Sequence, residues 1–306
     1  MSQEKKKVVV TGGAGFIGSH LSDALLAAGY DVHTVDNLAS GKKEDVPTGV
    51  TFHEVDVLDT EKLLPIFKDA HAVFHLAALP RVTFSYDYPV ESHRANIDGT
   101  FSVLMAARDA KARRVIYAAS SSSYGDQPQQ PFTEDMRPNP ASLYSFQKYV
   151  GEEYSRLFSS NYGLPTVSLR FFSVYGTRMR PDGGYALAIP KFLSERAAGR
   201  PMPITGDGTN TRDFTHIRDT VSALMLAMES ENVGKGEVIN VCAGHNVSVN
   251  DLADMIGGEK EYLPPRPGDA KDTFGDNGLA KKLLGWAPTT QLPEGIAELK
   301  VEYGIS

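Results

Sequence analysis

Tyr144 and Lys148 stand four positions apart in "YSFQK" (144–148). On a helix that spacing sets a phenol and an ammonium on one face, a turn apart. Such a pair arises by chance in many chains, or it is placed so that the ammonium helps the phenol lose its proton. A free tyrosine titrates near pH ~10 and is a poor base at neutrality, and a nearby positive charge favours its phenolate. A second signature lies near the start. "TGGAGFIG" (11–18) spaces Gly12, Gly15 and Gly18 three apart, between a short apolar run and a helical pattern. Glycine there permits a tight turn, close approach of the backbone to a phosphate and close helix packing. The helix N-terminus adds unpaired N–H groups and a partial positive charge. Asp36 closes the next apolar run. Its carboxylate can accept from the adenosine ribose hydroxyls and would repel a 2′-phosphate, so the pattern points to NAD rather than NADP. Asp56 and Val57 close a third run, where an adenine ring would lie and the carboxylate could accept from its amino group.

Both signatures need a frame. Short apolar runs at 7–11, 31–36, 51–57, 72–78, 114–120 and 167–171 read as strands, with helical stretches between them. In the first helix, Phe16, Ile17, Leu21, Ala24, Leu25 and Ala28 recur at helical spacing, and Gly29 stops it. Strands alternating with helices predict an α/β fold, a doubly wound parallel sheet that binds ligands outside the carboxyl ends of its strands. Beyond residue 176 the chain turns rich in Gly, Pro and Arg, while "EVINVC" (237–242) reads as a strand rejoining the sheet. This predicts a dinucleotide-binding domain of 1–176 plus 213–243, interleaved with a smaller C-terminal substrate domain of 177–212 plus 244–306.

Composition narrows the function further. The chain has 306 residues, is 41% hydrophobic and 23% charged, and carries a formal net charge of -7. This is ordinary for a soluble globular protein, and without a basic stripe no nucleic-acid partner is expected. No apolar run nears the ~20 residues of a membrane span, so no membrane partner is expected. The charged lead into the first strand has no signal-type apolar core. The single cysteine, Cys242, reads as a packed strand residue. It permits no disulfide within the chain and, with histidines scattered singly, no metal cluster. A cytoplasmic enzyme is expected.

Taken in order, "TGGAGFIG", "DNLASG", "HLAAL", "SSSSYGD", "YSFQK", "RFFSVYG", "GDGTNTRDFTHI" and "RPGD" resemble the extended short-chain dehydrogenase/reductases. Within that superfamily the likeness is to the nucleotide-sugar 4-epimerases, including those of the UDP-N-acetylglucosamine type. It covers nearly the whole chain and implies a Rossmann fold. It also implies that Tyr144 takes the proton of the sugar 4-hydroxyl while hydride leaves C4 for NAD. Lys148 would also hold the nicotinamide ribose. By its spacing from Tyr124-Gly125, Ser120 matches the family's catalytic serine or threonine, with Ser121 and Ser122 lining the same pocket. The related dehydratases carry Asp-Glu just after that residue, and the decarboxylases a Glu. Serine cannot protonate a leaving hydroxyl, so oxidation and re-reduction remain.

The same resemblance implies that Phe16, Ile17, Asn37, Leu76, Ala77, Ala78, Asn96 and Phe171 surround NAD. On the sugar side it implies Arg81, with Arg212 and Arg266 clamping the diphosphate and Asp269 on the nucleotide ribose. Ser173 stands where many relatives have Asn, and Gln147 where Ser or Thr is common. Residues 185–193 and 202–206 would sandwich a uracil. Thr273 falls beside the sugar C2 substituent, where many family members restrict the wall with a tyrosine. Its small side chain would admit an N-acetyl group unless Phe274 fills the space. The expected activity is NAD-dependent 4-epimerisation of a UDP-hexose by a homodimer paired through the helices near 92–110 and 144–162. The alternatives are an epimerase or decarboxylase of a UDP-uronic acid, or a dinucleotide sensor without turnover. Such a sensor would be expected to have lost Tyr144 or Lys148.

Overall fold

The computed structural model describes residues 5–181, 187–264 and 271–305. Seven strands form one sheet: β1 Lys7–Thr11, β2 Asp31–Asp36, β3 Thr51–Glu54, β4 Ala72–His75, β5 Val115–Ser120, β6 Thr166–Phe171 and β7 Lys235–Val241. Their order across the sheet is β7-β6-β5-β4-β1-β2-β3 and every pairing is parallel. Successive side chains of β1 show why its apolar run is unbroken. Val8 and Val10 enter one core, packed against Leu21, Leu25 and Leu224, while Val9 enters another with Val35, Leu63, Phe67 and Leu104. A strand covered on both faces needs apolar residues at every position.

The order reverses between β1 and β4, so their carboxyl ends diverge into a crevice. Two of the predicted strands are shorter than their apolar runs. β3 stops at Glu54 and β4 at His75. Val55–Val57 and Leu76–Ala78 run on past the strands and line the crevice, with the N–H of Val55 and of Leu76 still donating to the carbonyls of Asp36 and Thr11. The helical run near 92–110 is also interrupted. It comprises Pro89–His93, a wider π turn over Arg94–Asp98, and Gly99–Asp109.

A third core lies off the sheet, where Phe192, Leu193, Met202, Ile204, Leu252, Ile256, Ile296 and Leu299 pack together. Its frame is the parallel pair Met202–Thr205 with Lys260–Leu263 and the helices Ala188–Ala197, Val249–Ile256 and Leu292–Glu302. Packing departs from the predicted division at one place. Ala280, Leu284 and Trp286, within the span assigned to the smaller domain, are buried in the main core. The indole N–H of Trp286 donates to the carbonyl of Asp219, and the Asp219 carboxylate accepts from the backbone of Thr289 and Thr290. The chain thus crosses back to the sheet before its last helix returns to the third core. Cys242 is fully buried with Tyr124, Phe132 and Phe172, and burial pushes its thiol pKa up. Among the described residues no helix is long and apolar enough to cross a membrane.

Candidate active site

A cleft of about 1920 Å³ follows the carboxyl ends of the central strands and runs on under the third core. Sites for one small ligand are typically ~300–1,000 Å³, so this cleft has room for two ligands end to end. Gly12, Gly15, Phe16, Ile17, Gly18, Asp36, Asn37, Asp56, Val57, Leu76, Ala77, Ala78 and Phe171 all line it.

The glycine loop passes the test for a dinucleotide. The helix Phe16–Ala27 starts with no side-chain cap and no acid in its first turn. The first-turn N–H groups of Phe16, Ile17 and Gly18 therefore face the cleft with the positive end of the helix and no partner of their own. The turn tolerates no side chain at Gly12 or Gly18. A Cβ on Gly12, held at φ +74°, would meet the backbone N of Ala77 at 2.7 Å, and one on Gly18 would meet the Gly12 carbonyl oxygen at 2.1 Å. Asp36 is oriented by its neighbours: its carboxylate accepts from the N–H of Ala14 at 3.0 Å and of Leu38 at 2.8 Å. One lone pair per oxygen remains for a ribose diol. Asn37 donates to the Asp56 carboxylate at 2.8 Å and steadies the adenine end.

Ser120, Ser121, Ser122, Tyr144 and Lys148 form the wall beyond this loop. Tyr144 and Lys148 share the helix Leu143–Tyr162, started by Ser142, whose hydroxyl accepts from the N–H of Ser145. Ser120 ends β5 and caps the following turn, accepting from the N–H of Ser122 at 3.2 Å, with the two hydroxyl oxygens 2.8 Å apart. Burial pushes the Tyr144 phenol up to about 12, opposed by hydrogen bonding to Ser120. The expected depression by Lys148 is therefore not present in the protein alone. The Lys148 ammonium is aimed elsewhere: it donates to the carbonyl of Ala118 at 2.9 Å and lies 5.1 Å from the centre of the Tyr117 ring. Burial pulls Lys148 down to about 8, opposed by the negative charge of Glu152.

Arg81, Ser173, Arg212 and Thr273 also line the cleft, as do Leu187, Phe192, Pro203 and Thr205. Arg81 starts the helix Val82–Asp87 from φ +100°, a left-handed conformation rare outside glycine. Arg212 donates to the carbonyls of Thr211 at 2.8 Å and Lys271 at 3.3 Å. Among the described residues the Thr273 hydroxyl is buried without a hydrogen-bond partner. Phe274 does not line the cleft, and its carbonyl is held by the N–H of Phe132 at 2.7 Å. Arg266, Asp269 and the predicted 185–186 lie outside the described residues.

Asn96 does not reach the cleft, contrary to expectation. It is buried behind the wall, accepting from the N–H of Leu79 at 2.8 Å and donating to the carbonyl of Leu79 and to the side-chain carbonyl of Gln147. It braces the loop after β4, and Gln147, one residue before Lys148, is its partner. His75 is a second brace. Its ring nitrogens contact the hydroxyls of Thr11 and Thr100, each at 2.9 Å. Thr100 donates to the carbonyl of Asn96, so it accepts from Nε2–H. Nδ1 then accepts from Thr11, whose oxygen takes the N–H of Ala77. Asp213, beside Arg212, accepts from the N–H of Ala243, Gly244 and Gly275 and ties together the loops leading to Thr273. "HLAAL" and "TRDF" contained these residues, but nothing in their spacing distinguishes a brace from a ligand contact.

Residues 8–242 match the NAD dependent epimerase/dehydratase family. The chain is 38% identical over 306 residues to the UDP-glucose 4-epimerase of Mycolicibacterium smegmatis, covering 95% of this chain and 96% of that protein. A UDP-N-acetylglucosamine 4-epimerase from Methanobrevibacter ruminantium, solved with UDP-N-acetylmuramic acid, superposes with TM-score 0.91 at 35% identity, covering 98% of this chain and 100% of that one. The UDP-glucuronic acid 4-epimerase of Bacillus cereus, solved with UDP-glucuronic acid and NAD, gives 0.88 at 34% identity, covering 97% and 98%.

Proposed function

The chain belongs to the NAD dependent epimerase/dehydratase family, and from that premise we propose that it interconverts the C4 epimers of a UDP-hexose, N-acetylated or not. It is an enzyme and NAD is its cofactor. The observation that carries the reading is the single wall on which Ser120, Tyr144 and Lys148 face the cleft, next to the uncapped glycine loop. Bound NAD supplies a hydride acceptor at the sugar C4 and, when oxidised, a positive charge beside the phenol. Tyr144 accepts the proton of the 4-hydroxyl and later returns it. Ser120 shares a hydrogen bond with the same oxygen and lets that proton move. Lys148 fixes the nicotinamide ribose and adds its positive charge. The phenol starts near 12, so the base becomes effective only when both positive charges stand beside it. The cleft leaves a 4-keto sugar room to turn over, so that reduction would take place on its other face.

Ser121 and Ser122 offer no acid for expelling water, which favours epimerisation over dehydration. Arg81 and Arg212 suit a diphosphate, and Arg266 and Asp269 are proposed to complete that clamp. Thr273 leaves room beside C2, and its unpartnered hydroxyl supports contact with an acetamido group. The relative that acts on UDP-glucuronic acid keeps a second reading open, since the Ser120–Ser122 hydroxyls could also receive a carboxylate. We place the protein in the cytoplasm and read it as a homodimer. The test is product identification by NMR after incubation with UDP-glucose, UDP-N-acetylglucosamine and UDP-glucuronic acid, with Thr273→Tyr alongside. Turnover of both hexoses, with Thr273→Tyr losing the acetylated one at least tenfold more, is expected. Turnover of the uronic acid alone would replace this reading.

A further inference from the structure

Behind the catalytic wall lies a charge pair that the reaction does not touch. Glu152 and Arg170 are 1% and 3% exposed, joined by two hydrogen bonds, from Nε at 2.9 Å and from Nη2 at 2.7 Å. Glu152 stands four residues after Lys148 on the same helix, one turn deeper. Ser123, in the turn that follows Ser120, places its hydroxyl 3.4 Å from the Glu152 carboxylate. Arg170 lies 4.5 Å from the centre of the Tyr124 ring, and Tyr124 ends that turn. A buried ion pair is poor value for stability alone, because desolvating two charges offsets most of their attraction. This pair touches both the turn that carries Ser120 and the helix that carries Lys148.

We propose that Glu152, held by Arg170, is a positioning residue that keeps Lys148 protonated in its buried setting and fixes the Ser120 turn. The proposal rests on the role given to Lys148 above. The charged and titratable groups around Lys148 are few. Tyr144 and Glu152 come from its own helix, Tyr117 from β5, His75 from β4 and Arg170 from β6. Burial holds Tyr117 far above its usual range and His75 at about 3, so both are neutral at pH 7. Glu152 is the one carboxylate among these described groups, and its charge opposes the burial that pulls Lys148 down to about 8. Burial pushes the Glu152 carboxyl above its usual range, opposed by the hydrogen bonds and charge of Arg170; the guanidinium cannot give up its proton, and its two donors hold the paired carboxylate as the anion.

Glu152→Gln removes that anion and leaves the Arg170 guanidinium without its carboxylate partner. The test follows two alkaline profiles of the holoprotein from pH 6 to 10. One is kcat/KM for UDP-sugars; the other is the fraction of NAD retained through gel filtration. Wild type should lose both as Lys148 deprotonates, and Lys148→Met should lack the alkaline limb in NAD retention. In Glu152→Gln the limb should move about one pH unit lower, the size of shift an adjacent charge produces. Because that variant strands a buried guanidinium, Glu152→Gln/Arg170→Met is the companion; it should fold and place the limb between the other two. A lowered melting temperature with an unmoved limb in both variants would make the pair merely structural and overturn the proposal. A wild-type limb that persists in Lys148→Met removes the role of Lys148, and this proposal with it. NAD retention needs no sugar, so a wrong substrate assignment leaves that profile intact and is told apart.

Discussion

At the scale of residues, the work proposed for Tyr144 is a proton transfer from a site that resists ionisation. Burial alone holds the phenol at about 12, and each neighbouring positive charge lowers the cost of the phenolate. We expect Tyr144→Phe to lower kcat by about 10²–10⁴, the usual worth of one general base. NAD should stay bound, because the ring still fills its place and only the hydroxyl is gone. Turnover near the wild-type rate would give the role of base to another group. The glycines, Asp36 and the Tyr144/Lys148 pair were legible in sequence because each does its work through its own type and spacing. Asn96, Gln147, Glu152 and Arg170 were not, since their partners lie 17 to 55 residues away in the chain, and only the fold shows which polar residue meets which. Asn96 was assigned to NAD by the resemblance alone, yet its amide is spent on Leu79 and Gln147.

At the scale of elements, the strand pattern was legible because a doubly covered sheet makes its strands apolar at every position. Their ends were not. The apolar character of Val55–Val57 and Leu76–Ala78 serves the cleft rather than the ladder, and periodicity cannot tell the two uses apart. The π turn at Arg94–Asp98 was invisible for a similar reason, since apolar spacing continues through it. What fastens β1, β4 and the Gly99–Asp109 helix at their cleft ends is the His75 ring, matched on both nitrogens and 1% exposed. Its folded pKa is about 3 against 6.5 for the free side chain. Between those values the unfolded chain binds a proton that the folded one does not, so stability rises with pH across that window. It is therefore lost as pH falls from 6.5, by about 1.4 kcal/mol per unit for one such group. His216, lowered to about 4 mainly by burial, acts in the same direction. Urea midpoints at pH 7 and 5 should show this loss, and His75→Gln should be less stable at pH 7 but have a shallower pH slope. An unchanged slope would mean that another group takes up the proton.

At the scale of the whole molecule, the return of the late strand to the sheet was legible, but the return of residues 280–286 to the main core was not. That return depends on Trp286 reaching the Asp219 carbonyl, a contact no local pattern announces. The outer surface carries the remaining question. On the helix Leu143–Tyr162, Phe146 is 50% and Leu157 38% exposed. Eleven residues is close to three turns, so both lie on one stripe. Phe101, 42% exposed on the neighbouring helix, extends that stripe through its ring contacts with Tyr154 and Phe158. Each of these residues alone would be unremarkable on a monomer; three exposed along one face of two packed helices mark a surface of the sort that partners cover. A second copy meeting the same two helices about a twofold axis would bury them as a four-helix bundle, with each patch facing its own equivalent. Sedimentation at micromolar concentration should give twice the chain mass. Phe101→Glu brings two carboxylates toward each other in the apolar centre of that interface, where unpaired charge is costly, and should yield the monomer. The catalytic wall opens on the opposite side of the same helix, so loss of the partner should also lower the melting temperature and loosen Tyr144. A wild-type protein that sediments as a monomer, or a Phe101→Glu variant that stays a dimer, would move the interface elsewhere.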